Sequence, residues 1–158
     1  MKHTLLPFLI FITFSASAYA ENKSTKEITV YKNPACGCCN KWISYLKQNN
    51  YTVVEKNTRD VVAHKKRLGV PENLAACHTA VIDGYVIEGH VTHRDIKKLL
   101  LFRPDVTGIA VPGMPYGTPG MERGNTRQSY DVISFDKNGK TDIFSEYTYK
   151  DGKTGHHH

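Results

Sequence analysis

Three cysteines crowd into four positions of this chain, at Cys36, Cys38 and Cys39. The apolar run at residues 28–31 predicts a buried strand before them, and apolar residues at helical spacing from Asn40 onward predict a helix after them. The cysteines therefore lie in a strand-to-helix loop, beside a helix N-terminus that carries about half a positive elementary charge. That field favours thiolate over thiol, and thiolates are nucleophiles and ligands for soft metals.

The order of the predicted elements indicates a thioredoxin-like α/β fold. Strands are predicted at residues 28–31, 51–55, 79–82, 85–90, 130–135 and 141–147. Helices are predicted from Asn40 to Asn49, from a cap at Thr58 to Leu68, and from a cap at Thr92 to Phe102. A strand-helix-strand unit followed by a hairpin and a helix is the thioredoxin-like outline. The long loop at 108–124, rich in Gly, Pro and Met, and the C-terminal β-hairpin are additions to this single domain.

The N-terminus predicts export. A basic residue at Lys2, an apolar run at 5–14 and an A-x-A site ending at Ala20 are typical of a cleaved signal peptide, and the run is too short for a membrane span. We therefore expect an exported protein that is not inserted in the membrane. Its predicted organisation is a signal peptide at 1–20, a flexible leader at 21–27, a thioredoxin-like metal-binding domain at 28–149 and a flexible tail at 150–158.

Composition excludes several classes of protein. A hydrophobic content of 40% and a charged content of 23% are those of a globular chain, not of a disordered, collagen-like or polytopic membrane protein. The net charge of +6 is modest and scattered, and no basic surface interleaved with aromatic residues is visible. We therefore expect no nucleic-acid partner. The terminal run His156–His158 is either a tag or a native metal-collecting end.

The fourth cysteine, Cys77, directly precedes a predicted strand. In a thioredoxin-like sheet the loop before that strand packs against the cysteine loop, so we expect all four sulfurs to meet. Three interpretations are open at this point. The first is two structural disulfides, and the second is a thiol-disulfide oxidoreductase that uses the C-x-x-C pair Cys36 and Cys39. The third, which we favour because it uses every sulfur, is a soft-metal site for copper or, failing that, zinc.

Four other side chains are candidates to join such a site. An extended chain would turn His78 away from Cys77, so we expect a hydrogen-bonding or surface role for it, and we expect His90 to serve only near a helix cap. Met114 and Met121 lie in the long loop without apolar periodicity. Their thioethers are either soft ligands for Cu(I) or fillers packed over the cysteines.

Five separated motifs resemble the CopG family of periplasmic copper-resistance proteins, formerly a domain of unknown function. They are residues 30–42, 68–71, 77–80, 84–91 and 110–121. The resemblance implies a thioredoxin-like fold in the Gram-negative periplasm and copper bound through Cys36, Cys38, Cys39 and Cys77. It also implies interconversion of Cu(I) and Cu(II) in copper resistance, and a cluster of several copper ions bridged by thiolates. Copper ions are the expected partners, with other periplasmic copper-handling or efflux proteins as further candidates, and passive copper sequestration is the alternative function.

Overall fold

The computed structural model describes residues 26–150 and 153–155, which form a mixed sheet with three α-helices. The strands are β1 Lys26–Lys32, β2 Tyr51–Asn57, β3 His78–Ile82, β4 Tyr85–Glu88, β5 Gly108–Ala110, β6 Tyr130–Phe135, β7 Thr141–Lys150 and β8 Lys153–Gly155. The helices are α1 Gly37–Gln48, α2 Val61–Arg67 and α3 His93–Phe102. The predicted signal peptide, the first residues of the predicted leader and the run His156–His158 lie outside the described residues.

The first four strands confirm the thioredoxin-like prediction. The sheet order is β2-β1-β3-β4-β5-β6-β7-β8. The strand β1 pairs in parallel with β2 and antiparallel with β3, and β3 and β4 form the predicted antiparallel hairpin. The chain therefore leaves the end of β1 for α1 at one edge of the sheet, and the start of β3 lies next to that point because Lys32 pairs with His78. This register brings Cys77 to the cysteine loop.

The second half of the sheet extends the thioredoxin-like core. The predicted hairpin of β6 and β7 is present, but β5 was not predicted, because residues 108–124 were expected to be loop throughout. The strand β5 is only three residues long and pairs in parallel with β4 and antiparallel with β6. Two further differences are at the ends of the predicted domain: β1 begins at Lys26, and β8 pairs with the end of β7 inside the predicted tail.

Local capping explains where the helices begin. The helix α1 starts three residues earlier than predicted because Cys36 is its N-cap, with its Sγ accepting a hydrogen bond from the Cys39 N–H at 3.3 Å. The predicted cap of α2, Thr58, is wrong. The carboxylate of Asp60 accepts the Ala63 N–H at 3.0 Å instead. The predicted cap of α3 at Thr92 is confirmed.

The core anchors α1 firmly behind the cysteine loop. Its residues Trp42, Ile43 and Leu46 are all buried among apolar side chains of the sheet. The Trp42 Nε1–H donates a hydrogen bond of 2.8 Å to the carbonyl of Val91, which lies between β4 and α3. The first turn of α1 is therefore held to the same end of the sheet as Cys77. Among the described residues, no helix has the length and apolar character needed to cross a membrane.

Candidate metal centre

The fold brings all four cysteine sulfurs into one cluster. Three come from the start of α1 and the fourth, Cys77, from the residue before β3. The four Sγ atoms all lie within 4.8 Å of one another. This cluster is assembled by the antiparallel pairing of β1 with β3, as the order of elements predicted.

The cluster is partly oxidised in this structure. A disulfide joins Cys36 to Cys39, while Cys38 and Cys77 are free thiols. The Sγ atoms of Cys38 and Cys77 are 3.8 Å apart, and those of Cys36 and Cys38 are 3.5 Å apart. The hypothesis of two structural disulfides is therefore wrong for this form of the protein. The disulfide that is present is the C-x-x-C pair.

A cavity adjoins the cluster on the side of Cys38. This cavity has a volume of about 330 Å³. It is lined by Cys38, Tyr116 and Met121, by the charged residues Lys41, Glu122 and Arg123, and by Gly37 and Gly120. Cys39 is fully buried and is not among the residues that line this cavity. Of the two candidate methionines, the structure brings Met121 to this cavity, whereas Met114 is half-exposed and is not among the residues that line it.

Two buried histidines flank Cys77. The Nδ1 of His78 and the Nε2 of His90 each lie 3.2 Å from the Cys77 Sγ, and both rings are fully buried. For His78, the sequence predicted either a hydrogen-bonding role or a surface role. The structure agrees with the first, and the second is wrong because the ring is buried. The argument from alternating side chains did not apply, because Cys77 lies outside β3. The prediction that His90 serves only near a helix cap is also wrong, since its ring faces the cluster.

Burial sets the charge of these groups. Desolvation lowers the pKa of His78 well below its usual value, and the neighbouring His90 lowers it further. Desolvation also lowers the pKa of His90. Both imidazoles are therefore neutral at neutral pH, with one nitrogen lone pair each. Burial, followed by the neighbouring Cys38, raises the pKa of the Cys77 thiol to about 12, so the helix field that acts on the other three cysteines does not produce a free thiolate here.

The long loop, residues 111–129 in the structure, lies directly on the first turn of α1. Gly120 has a φ of +86°. An added Cβ there would lie 2.8 Å from the backbone nitrogen of Trp42 and 2.9 Å from the backbone carbonyl oxygen of Cys38. Only glycine permits this close approach of two backbones. The next contact is through Pro119, whose carbonyl lies 2.8 Å from His90 Nδ1. The long loop therefore forms one wall of the site.

This contact predicts a large difference between two glycine substitutions. Gly113 has a φ of +68° and no atom within 4 Å of an added Cβ, so Gly113→Ala should cost only the backbone strain of about 1–2 kcal/mol. Gly120→Ala shares that strain and adds overpacking of roughly 1–3 kcal/mol. Denaturant unfolding followed by the fluorescence of Trp42, the one tryptophan of the chain, measures both. Equal losses in the two variants would contradict the seating of the long loop on α1.

A buried ion pair between Lys65 and Glu88 contacts the residues on either side of Cys77. The Lys65 ammonium donates to Glu88 Oε1, and both side chains are nearly inaccessible to solvent. The same carboxylate accepts the Ala76 N–H at 2.6 Å and the Thr79 hydroxyl at 2.6 Å. Glu88 thus holds the backbone of Ala76 before Cys77 and the side chain of Thr79 after it. No feature of the sequence taken one residue at a time predicted this network, because its members come from three separate elements.

The fold and the site together define a class, the thioredoxin-like proteins that carry a cysteine cluster at the start of the first helix. Residues 74–121 match a family model described as "Protein of unknown function, DUF411". Two solved structures, described as forms 2 and 1 of the copper resistance protein CopG, have TM-scores of 0.75 and 0.74 against this chain at 44% sequence identity. The matches cover 78% of this chain and 99% and 98% of those chains. A search of curated proteins finds no match. The chain belongs to the CopG family of copper resistance proteins.

Proposed function

We propose that this chain is an exported copper-binding protein of copper resistance that binds Cu(I) through Cys36, Cys38, Cys39 and Cys77. The observation that carries the proposal is the convergence of four cysteine sulfurs within 4.8 Å in a member of this family. The predicted signal peptide at 1–20 supports export to the periplasm. Other copper-handling or efflux proteins of that compartment are the proposed protein partners.

The donor set fits copper in its reduced state. Thiolate sulfur is the ligand type that selects Cu(I), and neutral imidazole binds copper as well. Three of the four cysteines lie at the N-terminus of α1, where the helix field offsets part of their negative charge. Four sulfurs this close together suit bridging between metal ions, so the proposal includes more than one Cu(I) per chain. The cavity beside Cys38 gives copper a route to the cluster.

We infer that the same cluster interconverts Cu(I) and Cu(II). Formation of the disulfide between Cys36 and Cys39 releases two electrons and two protons, and each Cu(II) that becomes Cu(I) takes one electron. One disulfide therefore balances two copper ions in either direction. Free Cys38 and Cys77 remain at the cluster in the oxidised form to hold copper.

One observation favours a second candidate, a thiol-disulfide oxidoreductase that does not need copper. The disulfide of this structure is the C-x-x-C pair that such an enzyme uses. This function predicts that Cys38→Ser and Cys77→Ser leave disulfide exchange intact. A third candidate, passive copper sequestration, predicts copper that stays Cu(I) when oxidant is added. Following the copper valence spectroscopically through cycles of reductant and oxidant separates sequestration from redox turnover.

The proposed function is tested by metal analysis of the reduced protein, purified without oxygen, together with a count of free thiols. We expect copper that survives desalting, and its complete loss when all four cysteines are replaced by serine. The double variant Cys38→Ser/Cys77→Ser is the informative control, because it keeps the C-x-x-C pair and should still lose most of the copper. Full copper content in the fourfold variant would overturn the proposal. Undiminished disulfide exchange without copper binding in the unmodified chain would favour the oxidoreductase instead.

A further inference from the structure

The tautomer of His90 follows from its contacts. Its Nδ1 lies 2.8 Å from the carbonyl oxygen of Pro119, and a carbonyl oxygen can only accept a hydrogen bond. The proton of the neutral ring must therefore be on Nδ1. The other ring nitrogen, Nε2, then carries a lone pair, and it faces the Cys77 Sγ at 3.2 Å. This is the arrangement of metal-binding histidines, in which a backbone carbonyl accepts the hydrogen of the nitrogen that does not bind the metal.

The contacts of His78 indicate a different role. Its Nδ1 lies 3.2 Å from the Cys77 Sγ, and its Nε2 is buried without any hydrogen-bond partner among the described residues. A proton on Nε2 would leave a buried donor unpaired, whereas a proton on Nδ1 is shared with the sulfur. His78 therefore donates to Cys77 and orients it. Metal binding through Nδ1 would push the proton to the unpartnered Nε2.

We propose that His90 Nε2 is a copper ligand that acts together with Cys77 Sγ, and that Pro119 fixes it in the binding tautomer. The inference rests on the proposed function, since it concerns how the same copper is held. It makes the long loop part of the metal site, because the loop supplies the carbonyl of Pro119. His78 is a positioning residue that acts through the sulfur of Cys77.

The ligand type matters for the proposed change of copper valence. Thiolates alone select Cu(I), whereas imidazole is a good ligand for copper generally. In the form with the Cys36–Cys39 disulfide, two of the four sulfurs are no longer thiolates. An imidazole beside Cys77 then keeps a donor at the cluster that does not depend on thiol reduction. His90 and Cys77 thus form a copper position that is present both in the reduced protein and in the form with the Cys36–Cys39 disulfide. His90 supplies its nitrogen ligand.

The test uses protein labelled with ¹⁵N in histidine, reduced and loaded with Cu(I) without oxygen. The terminal run His156–His158 is replaced by alanine in every sample, so that it adds no imidazole. Long-range proton-nitrogen spectra of the rings should show the Nε2 resonance of His90 shift on loading with copper. The Nε2 resonance of His78 should keep the position of an unbound nitrogen. An unchanged His90 Nε2 in copper-loaded protein would overturn the proposal, and this measurement requires no substitution in the site.

A variant series adds a binding readout. We expect His90→Ala to weaken Cu(I) binding by at least about 10-fold in competition with a Cu(I) chelator, since loss of a group that only hydrogen-bonds to a ligand already costs roughly 10–100-fold. The matched control is His64→Ala, since His64 lies on α2, stacks on Tyr31 and contacts Arg67 away from the cluster. Equal affinities in the two variants would count against His90 as a ligand. Absence of copper from the unmodified protein would instead refute the proposed function, so the two failures are distinguishable.

Discussion

Reduced protein is expected to convert two Cu(II) ions to Cu(I) for each Cys36–Cys39 disulfide that it forms. The thiol-disulfide couple transfers two electrons, and copper takes one per ion. The pair is already bonded in the structure, whereas Cys38 and Cys77 are 3.8 Å apart and free. The electrons should therefore come from Cys36 and Cys39, while the other two thiols remain.

Anaerobic titration with Cu(II) measures this stoichiometry. The electron paramagnetic resonance signal of Cu(II) should be absent until two equivalents are added, while free thiols fall from the four present in the sequence to two. The Cys36→Ser/Cys39→Ser variant should lose this phase entirely and show the Cu(II) signal from the first addition. Consumption of two equivalents by that variant would contradict the assignment, since Cys38 and Cys77 would then be the electron source.

The cysteine cluster was predictable because its causes are local. A strand, a turn with three cysteines and an amphipathic helix are all visible in one stretch of sequence. The position of Cys77 before the β3–β4 hairpin then follows from the order of elements alone. The register that pairs Lys32 with His78 completes the juxtaposition, and any thioredoxin-like arrangement of these strands produces it.

The flanking histidines were not predictable in this way. The orientation of His90 depends on Gly89, whose φ of +74° turns the chain at the end of β4, and on the carbonyl of Pro119 from the long loop. Neither contact has a signature in the residues around His90. The strand β5 was missed for the same reason, because its three residues are extended only through pairing with β4 and β6.

Breaking the buried ion pair of Lys65 and Glu88 should strongly lower the free energy of unfolding. Neutralising one partner leaves the other charge buried and unpaired, which costs about 3–5 kcal/mol. Glu88→Gln retains an oxygen for the Ala76 N–H but leaves the Lys65 ammonium uncompensated. Lys65→Met leaves the carboxylate with only its two neutral donors, Thr79 and Ala76. Both single variants should lower the free energy of unfolding by this amount.

The double variant Lys65→Met/Glu88→Gln removes both charges and should be more stable than either single variant, because no unpaired charge remains.

Asp83→Asn is the matched control. It makes the same carboxylate-to-amide change in the exposed ion pair with Arg103 and should cost less than about 1 kcal/mol. Denaturant unfolding of the unmodified protein, the two single variants and the double variant gives the coupling energy of the pair. A loss of stability no greater than that of Asp83→Asn would mean that the buried pair does not stabilise the protein.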